Sequence, residues 1–475
     1  MAGTFVVLGG GISGLAAAYR LTQIQPSPKR IVLLEASSRL GGWVHSTRNE
    51  DGVIYEHGPR TIRPVGESAI TTLNLVDELQ LADQVMGVPY LHPSSLSRYI
   101  CVDSKLVRLP TQLTAIFKTH PPFQRPLMAA AFRDIFAAKN PKKDESIYEF
   151  VSRRFGPDLA QFAIDPLVRG ICAGDSKEIS VNFLLKNLKD LEQNNFCVTF
   201  GVLKNAMQKS PPSAQPMSDL TKRAKGERWP VWSLQGGLQS LPEALTQKSA
   251  EAGVELFVES PCTGLEFQKD GSVIVKCGHE ELEASRVISA LPGFKLSELV
   301  SQAHPNLAEL LRSIECVTVG LVNLEWQGQK LKNEGFGFLV PSSQKVPLLG
   351  VVYDTCSFPQ GDRTILTAMM GGKWFNSLFG EQATKEMLLD IALKQIGSLL
   401  GITDLPARSQ VHILRQCIPQ YVVGHADRLE QIRSYVGNNH LSLDLIGSSY
   451  DGVSVNDCIH NAIKAVDQWA ARSKP

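Results

Sequence analysis

The residues whose types and spacing can do chemistry come first in the chain. Gly9, Gly11 and Gly14 stand in G-x-G-x-x-G register inside VVLGGGISGLAAAYRL (6–21). The β-branched run TFVVL precedes them and the helix-like LAAAYRL follows, so strand, tight turn and helix come in that order. Gly9 permits the turn, and Gly11 removes a side chain where a pyrophosphate would approach. Gly14, with Ala16 to Ala18, lets the helix pack closely on the strand. The amides around Gly10, Ile12 and Ser13 would face the phosphates from the helix N-terminus. The chemistry such a turn serves is the holding of a dinucleotide.

The next residues narrow the choice. IVLLE (31–35) reads as a second buried strand ending in Glu35 and followed by Ala36. The acid falls about twenty residues past the last motif glycine, where a carboxylate accepts a ribose hydroxyl bond. A carboxylate there repels a 2′-phosphate, which disfavours NADP. SSRLGGWVHS then supplies Arg39, Gly41, Gly42 and Trp43, a second glycine turn with a cation of the kind that closes over FAD, the lesser alternative being a hairpin with a surface arginine. GFGFLVP (335–341) lacks a third glycine, so the chain has one dinucleotide fingerprint. Without a second nucleotide site, electrons from a flavin pass directly to a small acceptor such as dioxygen, which points to an oxidase.

These residues need elements to position them, and 475 residues are too many for one core. The expected class is α/β, with a discontinuous Rossmann-like FAD-binding domain from 1–91, 230–300 and 418–475. Its later pieces are the helix and strand of WSLQGGLQSLPEALTQKSAEAGVELFVESPCTGLEF (232–267), the strand VISALP (287–292), and the strand-helix unit at 441–469. In that last unit Ile459, Ile463, Val466 and Ala470 share one helical face. The turn at Gly452, followed by Val453, Ser454, Val455 and Asn456, suits contact with a flavin ring or phosphate. A mixed-sheet domain is expected over 301–417, with Leu388, Ala392, Ile396 and Leu399 aligned on a covering helix.

The stretch 92–210 reads as mostly helical, through LPTQLTAIF, PLMAAAFRDIFAA, ESIYEFVSRRF and VNFLLKNLKDL. By pattern alone the helix around Phe132 and Phe136 reads as an ordinary core helix, with one lying on a bilayer surface as the alternative. Residues 211–229, rich in proline and charge, read as a mobile solvated loop.

Other chemistries find no support. Forty-eight basic residues against forty-seven acidic ones give no electrostatic case for nucleic acid. Nine scattered cysteines without a C-x-x-C pair read as reduced thiols, and ten histidines without H-x-x-x-H or H-E-x-x-H spacing argue against a metal site. No apolar run approaches the roughly 18 residues of a membrane span. Strand-like residues begin at Thr4, which leaves no room for a cleavable presequence in this reading.

In order from end to end stand GGGISGL, RLGGW, GPRTIRP (58–64), DPLVRGICAGD (165–175), WSLQGGL, GFGFLVP, CIPQY (417–421) and YDGVSVNDC (450–458). On these motifs the whole chain resembles the protoporphyrinogen IX oxidase family, its animal mitochondrial branch most. The resemblance implies an FAD domain with the flavin held non-covalently, a substrate domain and a helical membrane-binding insertion, in a homodimer peripheral to the mitochondrial inner membrane. It implies six-electron oxidation of protoporphyrinogen IX in haem synthesis, in three hydride transfers to FAD, each followed by reoxidation with dioxygen and release of hydrogen peroxide. Ferrochelatase is the implied recipient of the product.

By family position Arg98 is the partner of a propionate, and Phe336, Leu339, Met369 and Leu167 hold the face of the macrocycle. Arg169 and Gly170 fall by the active-site cavity, and Gly58, Pro59, Arg60 and Thr61 by the flavin, with a structural ion pair as the alternative for either arginine; Cys262, opening CTGLEF, is a further cofactor candidate. No side chain is required as a nucleophile, because the cofactor carries the chemistry. Three rivals stay open: an amine oxidase of the same fold, a coproporphyrinogen-oxidising relative, and a non-catalytic binder resembling the Rab GDP-dissociation inhibitors. Amine oxidases often tether FAD through a cysteine in S-G-G-C, whereas Cys417 here follows Arg415 and Gln416.

Overall fold

The computed structural model describes residues 3–110, 117–208 and 215–472. They form two compact units, one from Met1–Gly87, Ser213–Glu315 and Asp427–Pro475, the other from Val88–Pro212 and Cys316–Ala426.

The first unit is built on a parallel sheet. Its strands run in the order Glu255–Phe257, Arg30–Leu34, Thr4–Leu8, Arg286–Ser289 and Leu443–Leu445. Side chains alternate across a strand, and here both faces are covered. Phe5, Val7, Ile31 and Leu33 enter one core, and Val6, Leu8, Val32 and Leu34 the other. The first core is closed by the helices Ile12–Gln23 and Val455–Arg472, which bury Leu15, Ala16, Ile459 and Val466 together. Phe5 meets Trp469 edge-on with ring centroids 4.6 Å apart. The second core lies under the antiparallel strands Cys262–Phe267, Val273–Cys277 and Glu280–Ala284 and the helices Gly293–Val300 and Pro305–Arg312.

One stretch corrects the sequence reading. Asp219–Gly226, expected within a mobile loop, is a helix. The Ser218 hydroxyl accepts the Thr221 amide at its start, and Leu220 and Ala224 are buried beside Trp229. Charged residues on its outer side had masked a short amphipathic pattern. Residues 211–214 of that expected loop lie outside the described residues.

The second unit carries a seven-stranded sheet in the order Arg408–Pro419, Cys316–Gln327, Arg363–Gly372, Gly350–Tyr353, Gly337–Leu339, Tyr99–Val102 and Lys105–Arg108. Every pairing is antiparallel except that of Phe338 and Leu339 with Tyr99 and Ile100. The helix Lys385–Leu400 covers one face through Leu388, Ala392 and Ile396, the spacing visible in the sequence. Two strands thus come from 92–210, the stretch read as mostly helical, so that stretch and the sheet belong to one compact unit. The helix expected at LPTQLTAIF falls largely on 111–116, outside the described residues. Met128–Phe136, Ile147–Phe155, Val181–Leu184 and Lys186–Asn194 are helical as their periodicity predicts. A reciprocal cap between Ser146 and Glu149 starts the second of these.

A buried ion cluster ties these helices together. Arg154, fully buried, donates to Asp134 at 3.1 Å and to Glu192 at 2.7 Å. Arg153 bonds Glu145 and Glu192 at 2.7 Å each, and Lys189 bonds the same two carboxylates at 2.8 and 2.9 Å. Three cations meet three carboxylates, so no buried charge is left uncompensated.

Burial pushes the Glu192 carboxyl up, but hydrogen bonds from Arg153, Lys189 and Arg154 outweigh this and bring it down to about 2. That is below the ordinary glutamate value of about 4.3. Its contribution to stability is therefore complete above the ordinary value and is lost as pH falls towards about 2. Glu192→Gln should flatten the acid limb of a plot of urea midpoint against pH below about pH 5. An acid limb as steep as that of the native protein would contradict this.

Candidate active site

The chain leaves the first strand at Leu8 and turns at Gly9 with φ +94°, a conformation natural only to glycine. The Gly9 amide bonds Leu34 O at 2.8 Å, so the turn hangs from the neighbouring strand. Gly14 is imposed by contact, because a Cβ there would lie 1.9 Å from Gly9 O. Gly11 is different. A Cβ on it would meet only Gly42 Cα, at 3.9 Å, among the described residues. The helix Ile12–Gln23 starts here with Gly11 as its N-cap and no side-chain cap among the described residues. The amides of Ile12 and Ser13 open its first turn, where backbone donors lack intrahelical acceptors.

Glu35 completes the crevice. Its Oε2 accepts the Gly10 amide at 2.7 Å, and its Oε1 accepts the Ser37 amide at 2.8 Å and hydroxyl at 2.7 Å. The Glu35 amide bonds Phe257 O and its carbonyl accepts the Ser260 amide, each at 2.8 Å, which brings Ala36 and Cys262 towards the same end of the sheet. Burial pushes the Cys262 thiol up to about 11, so it stays protonated at neutral pH.

The second glycine turn lies back to back with the first. The Gly41 amide bonds Gly10 O at 2.8 Å, and a Cβ on Gly42 would stand 3.0 Å from Gly11 Cα. Arg39 folds over this turn, donating to Leu40 O at 3.3 Å and to Gly42 O at 2.5 Å. Burial lowers its pKa, with Glu35 opposing. A Cβ on Gly58 would lie 1.9 Å from Trp43 O, so the GPRT segment runs directly along the second turn.

Pro59, the buried Arg60 and Thr61 lead to Ile62, which exchanges two 2.9 Å backbone bonds with Trp232. Val453, Ser454 and Val455 enter the last helix, where the Ser454 hydroxyl accepts the Asp457 amide at 3.1 Å. Asn456 Nδ2 donates to Arg63 O at 2.8 Å and ties this segment to GPRTIRP. One unit therefore gathers the expected cofactor residues from segments far apart in the chain. Bare backbone, a helix N-terminus and an acid one strand away fit a dinucleotide.

The second unit gathers the expected substrate residues by itself. Leu339, Gly350 and Met369 are cross-strand neighbours in one row. Phe338 and Met370 enter the core beneath Lys385–Leu400, so Leu339 and Met369 face the other way. On that side lies the helix Asp165–Cys172. A Cβ on Gly170 would stand 2.6 Å from Leu339 Cδ2, and one on Gly350 would stand 2.9 Å from the same atom. Leu167, on this helix, is 37% exposed. The Phe336 amide bonds Ser97 O at 3.0 Å, which sets Phe336 beside Arg98.

Arg169 takes a structural role, with backbone carbonyls in place of the ion-pair partner that the sequence left as its alternative. It is buried, donates to Val340 O at 2.5 Å and Leu348 O at 3.5 Å, and lies with Cζ 4.6 Å over the Trp374 ring. Burial lowers its pKa, with Asp165 and Asp175 opposing. One turn earlier, Asp165 accepts the Ser342 amide at 2.6 Å and the Ser176 hydroxyl at 2.7 Å. Asp165 and Arg169 together clamp the loop between Leu339 and Gly350. Sequence reasoning missed Asp165, Gly350 and Trp374. Only Asp165 had a signal, an acid in the first turn of a helix, and nothing local links it to Ser342. Burial pushes the nearby Cys172 thiol up to about 12, which removes it as a nucleophile.

The chain matches the model of the flavin containing amine oxidoreductases over residues 12–468 and belongs to that family. Its cofactor is FAD. Over 471 residues, covering 98% of both chains in each case, it is 41% identical to the protoporphyrinogen oxidases of Macaca fascicularis and of Homo sapiens. Within the flavin family it belongs to the protoporphyrinogen oxidases. A crystal structure of a putative protoporphyrinogen oxidase from Exiguobacterium sp. 255-15 shares the fold, with a TM-score of 0.82, 24% identity and 100% of each chain covered.

Asp165→Ala should free the Ser342 amide, lowering its hydrogen-exchange protection by at least about tenfold while the central strands keep theirs. Unchanged protection at Ser342 would show that the loop is held by other means.

Proposed function

We propose that the protein oxidises protoporphyrinogen IX to protoporphyrin IX in haem synthesis, removing six electrons with dioxygen as acceptor and releasing hydrogen peroxide. The observation that carries this reading is the full-length likeness to the protoporphyrinogen oxidases, joined to an apolar row, Leu339 and Met369, built beside Arg98 and Phe336. When bound, FAD supplies the two-electron oxidation and the hand-over of electrons to dioxygen.

The chain's own residues bind and orient. Gly9, Gly10, Gly11, Ile12, Ser13 and Gly14 offer backbone to the diphosphate, and Glu35 offers its carboxylate to a ribose. Arg39, Gly42, Trp43, Arg60 and the Val453–Val455 segment enclose the rest of the cofactor. Phe336, Leu339, Met369 and Leu167 supply the apolar surface that a broad, flat macrocycle needs, and Arg98 meets a propionate. Gly170 keeps the row open, and Arg169 positions the loop that follows Leu339. No side chain acts as general base. The nitrogen lone pairs of the macrocycle stabilise the cation left by hydride loss, and the buried thiols of Cys172 and Cys417 are both pushed up to about 12.

The same reading includes a homodimer held peripherally at the mitochondrial inner membrane, with product passing to ferrochelatase. Its physical support is the exposed aromatic surface of the helical segment, together with a lack, among the described residues, of any helix long and apolar enough to cross a membrane.

Protoporphyrinogen IX and coproporphyrinogen III, each supplied to the flavin-loaded protein, decide between the reading and its nearest rival. Three peroxides per protoporphyrin formed, with slow turnover of the tetracarboxylate, is the expected result; preference for coproporphyrinogen III overturns it. Arg98→Ala should raise the Michaelis constant for protoporphyrinogen IX by about tenfold or more, as loss of a charged hydrogen bond requires, with flavin content unchanged. An unaltered Michaelis constant removes Arg98 from the site.

A further inference from the structure

Two of the nine cysteines face each other. In the antiparallel strands Cys262–Phe267 and Val273–Cys277, Cys262 is the direct register partner of Cys277. A bulge between Cys262 and Gly264 shifts the side-chain alternation by one residue. Cys262, and not Thr263, therefore joins Leu265 and Phe267 against the second core of the flavin unit. Cys277 packs on the same core in step with Val275 and Val273, so the two thiols lie on one face of the sheet. Among the described residues no other two cysteines are register partners; Cys101 lies opposite Leu106, and Cys316 opposite Pro419. Directly opposed residues hold their Cβ atoms about 4.5–5.5 Å apart and a disulfide needs about 3.5–4.5 Å, so an approach of about 1 Å closes the bond.

Both thiols are half-buried, whereas Cys101, Cys172, Cys197, Cys417 and Cys458 are buried. The pair stands at the end of the hairpin away from its turn at Gly271, where the strands yield most readily. Cys277 is followed by Gly278, with φ +60°. A Cβ on Gly278 would meet nothing within 4 Å among the described residues, which leaves this end open to small solutes. Cys262 lies towards the dinucleotide crevice. The Ser260 amide bonds Glu35 O at 2.8 Å and the Glu259 amide bonds Ser37 O at 2.9 Å, so the strand that carries Cys262 starts from the segment that holds Glu35.

We propose that Cys262 and Cys277 form a reversible dithiol–disulfide site that consumes hydrogen peroxide at the edge of the cofactor crevice. The oxidant is the one that the proposed reaction releases, but the site itself stands apart from that reading. The Cys277 sulfur attacks one peroxide oxygen, the O–O bond breaks, and water departs to leave a sulfenic acid. The Cys262 sulfur then attacks the Cys277 sulfur, the S–O bond breaks, and the Cys262 proton leaves with a second water. Two thiols give up two electrons and two protons, and one peroxide becomes two waters. Burial pushes the Cys262 thiol up to about 11, which gives Cys277 the first oxidation and Cys262 the resolving role. Closure of the disulfide stops the pair short of the irreversible sulfinic and sulfonic acids beside the cofactor.

The test treats the flavin-loaded protein with a small excess of hydrogen peroxide, alkylates the remaining thiols and digests with trypsin for mass spectrometry. Cys262 and Cys277 fall in separate tryptic peptides, 249–269 and 277–286, neither of which contains another cysteine. The expected product joins these two peptides, is lighter than their sum by a pair of hydrogens, and is split by dithiothreitol. Cys277→Ser should abolish it with flavin content unchanged. Full alkylation of both cysteines after peroxide overturns the proposal, and so does oxidation of either to a sulfinic acid without the cross-link, or cross-links formed between other cysteines instead. Protoporphyrinogen IX in air should form the same cross-link, and catalase should suppress it. If protoporphyrinogen IX releases no peroxide while added peroxide still joins the two peptides, the oxidase reading fails and the dithiol site stands.

Discussion

Everything in the flavin unit depends on the close approach of two stretches of bare backbone. Gly11 and Gly42 face each other so closely that a Cβ on Gly42 would stand 3.0 Å from Gly11 Cα. The hydrogen bond from Gly41 to Gly10 locks that approach, and Gly14 lets the helix descend onto Gly9. Once the turns are fixed, the unpaired amides at the helix N-terminus have a defined direction, and Glu35 a defined distance from them. The C-terminal helix then has one place to pack, with Trp469 against Phe5, and it carries Val453 to Val455 to the same end of the sheet. Sequence distance is cancelled by a parallel sheet that pairs residues 287–289 with 443–445.

In the second unit the corresponding constraint is close packing around Leu339. Glycines at 170 and 350 leave room around Leu339, and both positions are intolerant of a Cβ there. Rigidity comes from polar groups placed beneath the surface. Arg169, stacked on Trp374, and Asp165 hold the loop after Leu339 from its two ends. A buried guanidinium that bonds carbonyls is costly to desolvate, and its use here is positional. The ion cluster around Arg154 plays the same part for the outer helices.

Local signals made the dinucleotide crevice legible in the sequence. Glycine spacing, the continuous apolar runs TFVVL and IVLLE, and an acid at the end of the second strand all act within a few residues of one another. The apolar helical spacings of 388–399 and 459–470 were equally visible. Three features were not. Tyr99–Val102 becomes a strand because it pairs with Phe338 and Leu339, more than two hundred residues away, and no local pattern encodes that partner. Asp219–Gly226 is a helix because Leu220 and Ala224 find the core, against a composition that reads as solvated. The loop-holding role of Arg169 was hidden because its acceptors are backbone carbonyls, which every residue possesses. Leu339 and Met369, proposed to hold the substrate, look like ordinary strand positions, and only the family resemblance singled them out.

The account stands on that glycine crevice accepting the diphosphate of FAD. Equilibrium titration of flavin-free protein with FAD, followed by quenching of FAD fluorescence, measures this directly for the native chain and for Gly11→Val. The native chain should bind saturably, and the variant should bind about a hundredfold more weakly, equivalent to roughly 2.7 kcal/mol. Equal affinity in the two proteins would place the cofactor elsewhere and contradict the account.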